Sequence, residues 1–309
     1  MPISAKVKRI ARRWIIILGV LVIGFFVGFV PWFFTDIITR GRFHYPDPND
    51  GKSPVSYGLN STWVEFPSAD GIPLKGWYVP AAGEARGTII LCHGLNRTRI
   101  EMLPESAFAH ELGFNALLLD FRHQGQSRGE MTTLGYQERL DVLGAVRYVR
   151  GEKKAARPIV AWGVSMGAAA ALMAAADSVE VDAVISDSTF LSLEDTAIHH
   201  LKLFLHLPAF PIAYEVIYWT AWRGKFRPSD LDLGKAVERI ESRPILFVGV
   251  EGDRRMPPEI ARTLFARSKS PGKQLLILPG TRHGEGFNQA REQYEKAVRE
   301  FLARVPAGK

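Results

Sequence analysis

At 309 residues with 47% apolar composition, the chain can hold one large α/β domain or two modest ones, and its apolar content excludes general disorder. The formal charge of +7 comes from 39 basic and 32 acidic residues, but Lys6, Lys8, Arg9, Arg12 and Arg13 supply five of those charges before any acid occurs. The remainder is too evenly balanced for a phosphate-binding face, so a nucleic-acid partner is excluded, and the lone cysteine, Cys92, excludes an internal disulfide and reads as a buried structural thiol.

Residues 1–13 form a basic segment, and residues 14–35, "WIIILGVLVIGFFVGFVPWFFT", follow without a charge. As a helix this stretch is about 33 Å long and matches a hydrocarbon core of about 30 Å. It predicts a transmembrane anchor rather than a cleaved signal, because it exceeds an apolar signal core of about 7–15 residues and no A-x-A site follows. Trp14, Trp32, Phe33 and Phe34 stand at its two ends, where aromatic rings favour the interface. The preceding basic cluster predicts a cytoplasmic N-terminus, with everything after residue 35 on the non-cytoplasmic side. Residues 36–60 are dense in Pro, Gly, Asp, Asn and Ser over most of their length and read as a tether to a domain spanning 61–309.

Within that domain, "STWVEFPSADGIPLKGWYVP" alternates apolar and polar residues on either side of Ala69-Asp70-Gly71 and predicts a β-hairpin. From residue 87 the pattern changes to short apolar runs, "GTIILCHG", "FNALLLDF", "PIVAWGVS", "VDAVISDS", "PILFVGVE" and "KQLLILPG". Amphipathic, helix-length stretches lie between most of them, including 136–149 and 258–266, with a closing helix over 286–305. Such alternation predicts a mostly parallel central sheet covered by helices on both faces. One interval breaks the rhythm: residues 190–235, rich in aromatics and interrupted by prolines, are too long for an ordinary loop and predict a helical cap insertion.

The third apolar run ends in Gly163-Val164-Ser165-Met166-Gly167, a G-x-S-x-G pattern that is weak alone but here joins a strand to an alanine-rich helix. That is the setting of a nucleophile elbow, in which glycines let strand and helix backbones approach. Ser165 is therefore the candidate nucleophile. A serine hydroxyl needs a base and a group that orients the base. His283 follows the last strand, at the sheet edge where Ser165 lies, whereas His199, His200 and His206 fall in the cap, His110 on a helix, and His93 in a loop it helps to shape. Asp253 follows the preceding strand and gives the order Ser, Asp, His; Asp187, at the end of "VDAVISD", is the alternative acid. Asp120 reads as structural. The oxyanion donors would be the backbone N–H groups of Met166 and Leu95. The chemistry predicted is acyl transfer from a carbonyl substrate, with water completing hydrolysis and no metal or organic cofactor; no CxxC or HExxH set occurs.

From about residue 61 to 304 the chain resembles the serine α/β-hydrolases through an ordered series: "LCHG", "LLLDFRHQGQS", "GVSMGAAAAL", "DSTF", "GVEGDRRMP" and "GTRHGEGF". With its anchor it is similar to single-pass membrane hydrolases of the esterase, lipase and serine-aminopeptidase-like group. The resemblance implies an α/β-hydrolase fold and the same triad and oxyanion donors. The chain departs from the group at His123, where members often carry glycine, which leaves the shape of that loop open. Phe204, Phe210, Tyr214, Tyr218, Trp219 and Trp222 of the cap could line an acyl pocket, dip into the bilayer, or pack the cap. A carboxylic ester or lipid-like small molecule is the expected substrate. The alternatives are a peptidase using cap acids such as Glu194, Asp195 or Glu215, and an inactive binding module on the same scaffold.

Overall fold

The computed structural model describes residues 4–41, 45–155, 157–206 and 208–306. Its centre is an eight-stranded sheet: β1 (Thr62–Pro67), β2 (Pro73–Val79), β3 (Thr88–Cys92), β4 (Asn115–Leu119), β5 (Ile159–Val164), β6 (Ala183–Asp187), β7 (Ile245–Val250) and β8 (Gln274–Leu278). The spatial order is β1-β2-β4-β3-β5-β6-β7-β8. β1 and β2 form the predicted antiparallel hairpin, β2 runs antiparallel to β4, and all remaining pairs are parallel. β3, β4, β5, β6 and β7 are buried along their whole length, as continuous apolar runs require when both faces are covered.

The helices are α1 (Ala5–Gly24), α2 (Val30–Arg40), α3 (Leu103–Glu111), α4 (Glu138–Gly151), α5 (Met166–Asp177), α6 (Leu193–His200), α7 (Ile212–Arg223), α8 (Leu233–Glu238), α9 (Pro258–Arg267), α10 (Gly286–Gln289) and α11 (Arg291–Arg304). α4, α5, α8 and α9 contribute Val142, Val146, Leu172, Val237 and Leu264 to the core on one face of the sheet. α3, α10 and α11 contribute Phe108, Phe287, Tyr294 and Phe301 to the other. The closing helix expected over 286–305 is broken at Ala290, whose φ of −135° and ψ of 46° leave the helical region.

The 190–235 insertion is helical. It leaves and re-enters the domain at adjacent points, where Leu193 N–H donates to Leu231 O and Leu233 N–H to Leu191 O. α6 continues into a π-helical turn, Leu201–Leu205, and α7 returns, so the insertion is a helical hairpin.

At the N-terminus, α1, a π-helical turn over Phe25–Phe29 and α2 make one helix from Ala5 to Arg40, long and apolar enough to cross a membrane. Residues 36–40, read from sequence as the start of the tether, continue the helix. The cause is packing. Val30, Phe34 and Ile38 lie against a cluster of Leu201, Ile212, Ala213 and Val216, and Arg223 pairs with Asp36 at 3.1 Å. The C-terminal end is held by the domain as well, since Thr132 N–H donates to Thr39 O and a ring nitrogen of His123 faces Arg40 O at 3.2 Å. His123 has a φ of +64°, the left-handed conformation in which glycine is at ease. The histidine thus keeps the backbone shape and adds a bond to the helix end. Residues 42–44 of the assigned tether lie outside the described residues.

Candidate active site

β5 and α5 meet at Ser165, whose φ of +54° and ψ of −116° form a sharp turn outside the usual regions for a side-chain-bearing residue. Such a conformation costs on the order of 1–3 kcal/mol and persists only where its surroundings enforce it. Here they do. Ser165 N–H donates to Asp187 O at 2.8 Å, and Ser165 O accepts from Ala169 N–H. A Cβ on Gly163 would lie 2.3 Å from Gly167 C, and one on Gly167 would lie 2.1 Å from Cys92 O. Both glycines are therefore demanded by the close approach of β3, β5 and α5. The Cys92 thiol is buried beside them and pushed well above its ordinary range by burial.

The structure brings Ser165, His283 and Asp253 together. Ser165 Oγ is 2.9 Å from His283 Nε2, and His283 Nδ1 is 2.7 Å from Asp253 Oδ2. Asp253 Oδ1 accepts from Arg255 N–H at 2.8 Å and Met256 N–H at 3.0 Å. Burial pushes the Asp253 carboxyl up, but the bond from His283 and these backbone bonds outweigh it and hold the group below the ordinary carboxylate range. A carboxylate stays charged here beside the imidazole. This arrangement allows Nε2 to take a proton from the serine while Nδ1–H remains directed at Asp253.

Asp187 lies elsewhere. Its carboxylate accepts the Ser188 hydroxyl at 2.8 Å, and burial raises it to about 6 against the Ser188 and Tyr294 hydroxyls. It supports the elbow through its main-chain carbonyl, and the structure places Asp253 rather than Asp187 against His283. Asp120 ties loops together, accepting Arg99 N–H and Gln126 N–H at 2.8 Å each.

The loop after β3 faces the elbow. Phe121 N–H donates to His93 Nε2 at 3.0 Å, so Nδ1 carries the proton that Gly94 O accepts at 2.8 Å. Burial keeps this ring below the ordinary histidine range. Among the described residues, neither Leu95 N–H nor Met166 N–H donates to another group; Met166 heads α5, where the first N–H groups have no helical partner.

Two acids that sequence reasoning passed over complete the surroundings. Gly94 N–H donates to Glu101 Oε2 at 2.6 Å, which fixes the main chain one residue before Leu95. Burial pushes the Glu101 carboxyl up to about 7, against the lowering by Gly94 N–H and Arg97. In sequence, Thr98 and Glu101 have the spacing of a capping box, but the Thr98 side chain makes no cap bond and Glu101 reaches back to the loop instead. Glu105 is buried with Oε2 unpartnered and is raised well above its ordinary range by burial. Its place in the first turn of α3 gives no sequence signal, because acids are common there. Among the described residues no group of three or more His, Cys, Asp or Glu side chains is placed to hold a metal ion.

The strand order, the turn at Ser165 and the three-residue chain of hydrogen bonds agree with a match of the alpha/beta hydrolase family model to residues 89–297. The chain belongs to the alpha/beta hydrolase family. It is 29% identical over 246 residues to the uncharacterized protein YqkD of Bacillus subtilis (strain 168), covering 79% of this chain and 80% of that one. It is 26% identical over 311 residues to the uncharacterized protein YfhR of Escherichia coli (strain K12), covering 98% of this chain and 96% of that one. Among solved structures it is similar to the Pyrococcus furiosus esterase Pf2001, with a TM-score of 0.71 and 25% identity over 86% of this chain and 98% of that one.

Proposed function

We propose that this alpha/beta hydrolase is a membrane-anchored serine esterase acting on a carboxylic ester of acyl or lipid-like character. The observation that carries the proposal is the Ser165 Oγ, His283 Nε2, His283 Nδ1, Asp253 Oδ2 chain, with separations of 2.9 and 2.7 Å, at a strained turn on a helix N-terminus. Ser165 Oγ attacks the ester carbonyl carbon while His283 Nε2 takes its proton, and the carbonyl oxygen becomes an oxyanion received by Leu95 N–H and Met166 N–H. Collapse of the tetrahedral adduct breaks the bond to the alcohol oxygen, which leaves with the proton from His283. Water then repeats the sequence on the acyl-enzyme: His283 takes its proton, and Ser165 departs with that proton as the acid is released. Asp253 fixes the imidazole and stabilises its charged form throughout.

The resemblance to an esterase fold supports an ester over a peptide substrate. So do the positions of two of the three cap acids that a peptidase could use for a substrate amine. Asp195 Oδ2 accepts the Ser192 hydroxyl at 2.5 Å at the start of α6, and Glu215 lines a groove with Val27 on the anchor. The helix from Ala5 to Arg40 supports the anchor, with residues 14–35 in the bilayer and the domain, residues 61–309, on the non-cytoplasmic side. Side-by-side turnover of p-nitrophenyl acyl esters and aminoacyl p-nitroanilides tests the substrate class. Ester cleavage is expected to be faster by a factor of about 100 or more, and faster anilide cleavage overturns the esterase assignment in favour of a peptidase.

A further inference from the structure

The cap hairpin and the anchor lie side by side at a fixed level. α7 runs parallel to α2: the start of α7 lies beside Val27, with which Phe210, Pro211, Tyr214, Glu215 and Tyr218 line a common groove, and its end reaches Asp36 and Thr39 through Arg223. The intervening contact is an apolar cluster of cap and anchor residues, so the hairpin cannot slide along the anchor without opening it.

This register sets a depth. Starting at Trp14, a hydrocarbon core of about 30 Å is filled by about 20 helical residues and ends near Phe33. Val27 is then roughly 9 Å inside that boundary. If the hairpin stood in water, the boundary would fall before Val27 and leave only about 20 Å of apolar helix for the core. Phe29, Trp32 and Phe33, all exposed, would then face water too.

The hairpin surface has the composition this position demands. Phe204 and Phe210, on either side of its tip, are 58% and 76% exposed. Farther along α7, Tyr218 and Trp222 are 62% and 72% exposed, one residue round the helix from the buried Ile217 and Ala221, and the exposed cations Lys225 and Arg227 follow α7. Along the returning limb the order is phenylalanine at the tip, then tyrosine and tryptophan, then cations, as found on passing from hydrocarbon through the interface to water; the outgoing limb carries the exposed Lys202 and His206 near the tip.

We infer that the α6–α7 hairpin is inserted into the outer leaflet beside the anchor, so that a lipid bilayer covers the exposed aromatic face of the cap. The inference rests on the membrane-anchored reading above and adds a second, wedge-like contact to the single helix. It also gives the cap a route for an amphiphilic ester: the base of the hairpin reaches the site, with a ring nitrogen of His199 facing Arg254 O at 2.8 Å, one residue beyond Asp253.

The test uses the full chain in phosphatidylcholine and phosphatidylglycerol vesicles, with an environment-sensitive fluorophore on single cysteines introduced as Val20→Cys, Phe210→Cys and Val179→Cys. The native Cys92 is fully buried and stays unlabelled in the folded protein. Lipids carrying a nitroxide on the acyl chain are expected to quench positions 20 and 210 at least twofold and to leave position 179 unchanged. Quenching at 20 but not at 210 overturns the inserted hairpin and leaves the anchor standing. A blue-shifted but unquenched label at 210 overturns it in favour of a second copy of the chain as the cover. No quenching at 20 overturns the anchor itself and the inference with it.

Discussion

The juxtaposition of Ser165, His283 and Asp253 was legible because each belongs to a local pattern: a serine between glycines at a strand end, and a histidine and an aspartate directly after the last two strands. Asp253→Asn is expected to lower turnover by about 10⁴ with the domain still folded, because the neutral amide no longer selects the tautomer or stabilises the imidazolium. Steady-state kinetics with a melting curve checks this, and a larger loss in Asp187→Asn transfers the orienting role. Glu101 was not legible, since its role depends on a loop folding back across seven residues to put Gly94 N–H within 2.6 Å. Glu101→Ala is expected to reduce kcat about tenfold or more with little change in KM, while Glu101→Gln, which keeps an acceptor for Gly94, recovers most of it. Glu105 has a separate signature. A carboxyl raised in the folded state stabilises the fold below its unfolded value, near 4.5, and that stability is lost as pH rises through the folded value. Glu105→Gln should therefore match the wild type in urea midpoint at pH 4 and exceed it at pH 8; a lower midpoint at pH 8 contradicts the assignment.

At the scale of elements, hydrophobic runs located the strands well, since β3 through β7 are buried on both sides and leave no room for polar alternation. The elbow could be read as strand, turn and helix because its glycines answer to backbone contacts inside one β-α unit. The pairing of α2 with α7 could not. Their partner faces lie about 180 residues apart in sequence, and the stripe of Val30, Phe34 and Ile38 at i, i+4 and i+8 does not name the surface it packs against. For the same reason residues 36–40 looked like tether, although Ile38 and Thr39 are held against the cap and the domain. Ile212→Ala, which truncates the cluster on which Val30, Phe34 and Ile38 pack, is expected to cost roughly 2 kcal/mol locally. Faster proteolysis within 200–215 in detergent, with the main thermal transition little changed, is the measurement; an unchanged cleavage rate contradicts a packed anchor-cap unit.

For the whole molecule, the order of elements predicted the α/β-hydrolase fold, while substrate depends on a pocket that composition does not encode. The balance of charges after residue 13 fits the proposed contact with a bilayer through apolar and aromatic side chains rather than a cationic face. Protease added outside spheroplasts is expected to digest the domain, and protection of the domain there reverses the orientation. The most direct measurement of the central claim is labelling of the full chain by a fluorophosphonate probe, with the modified peptide mapped by mass spectrometry. A single adduct on Ser165, absent in Ser165→Ala and slowed in His283→Ala, is expected; a folded wild-type protein that stays unlabelled, or is labelled at another serine, contradicts Ser165 as the nucleophile.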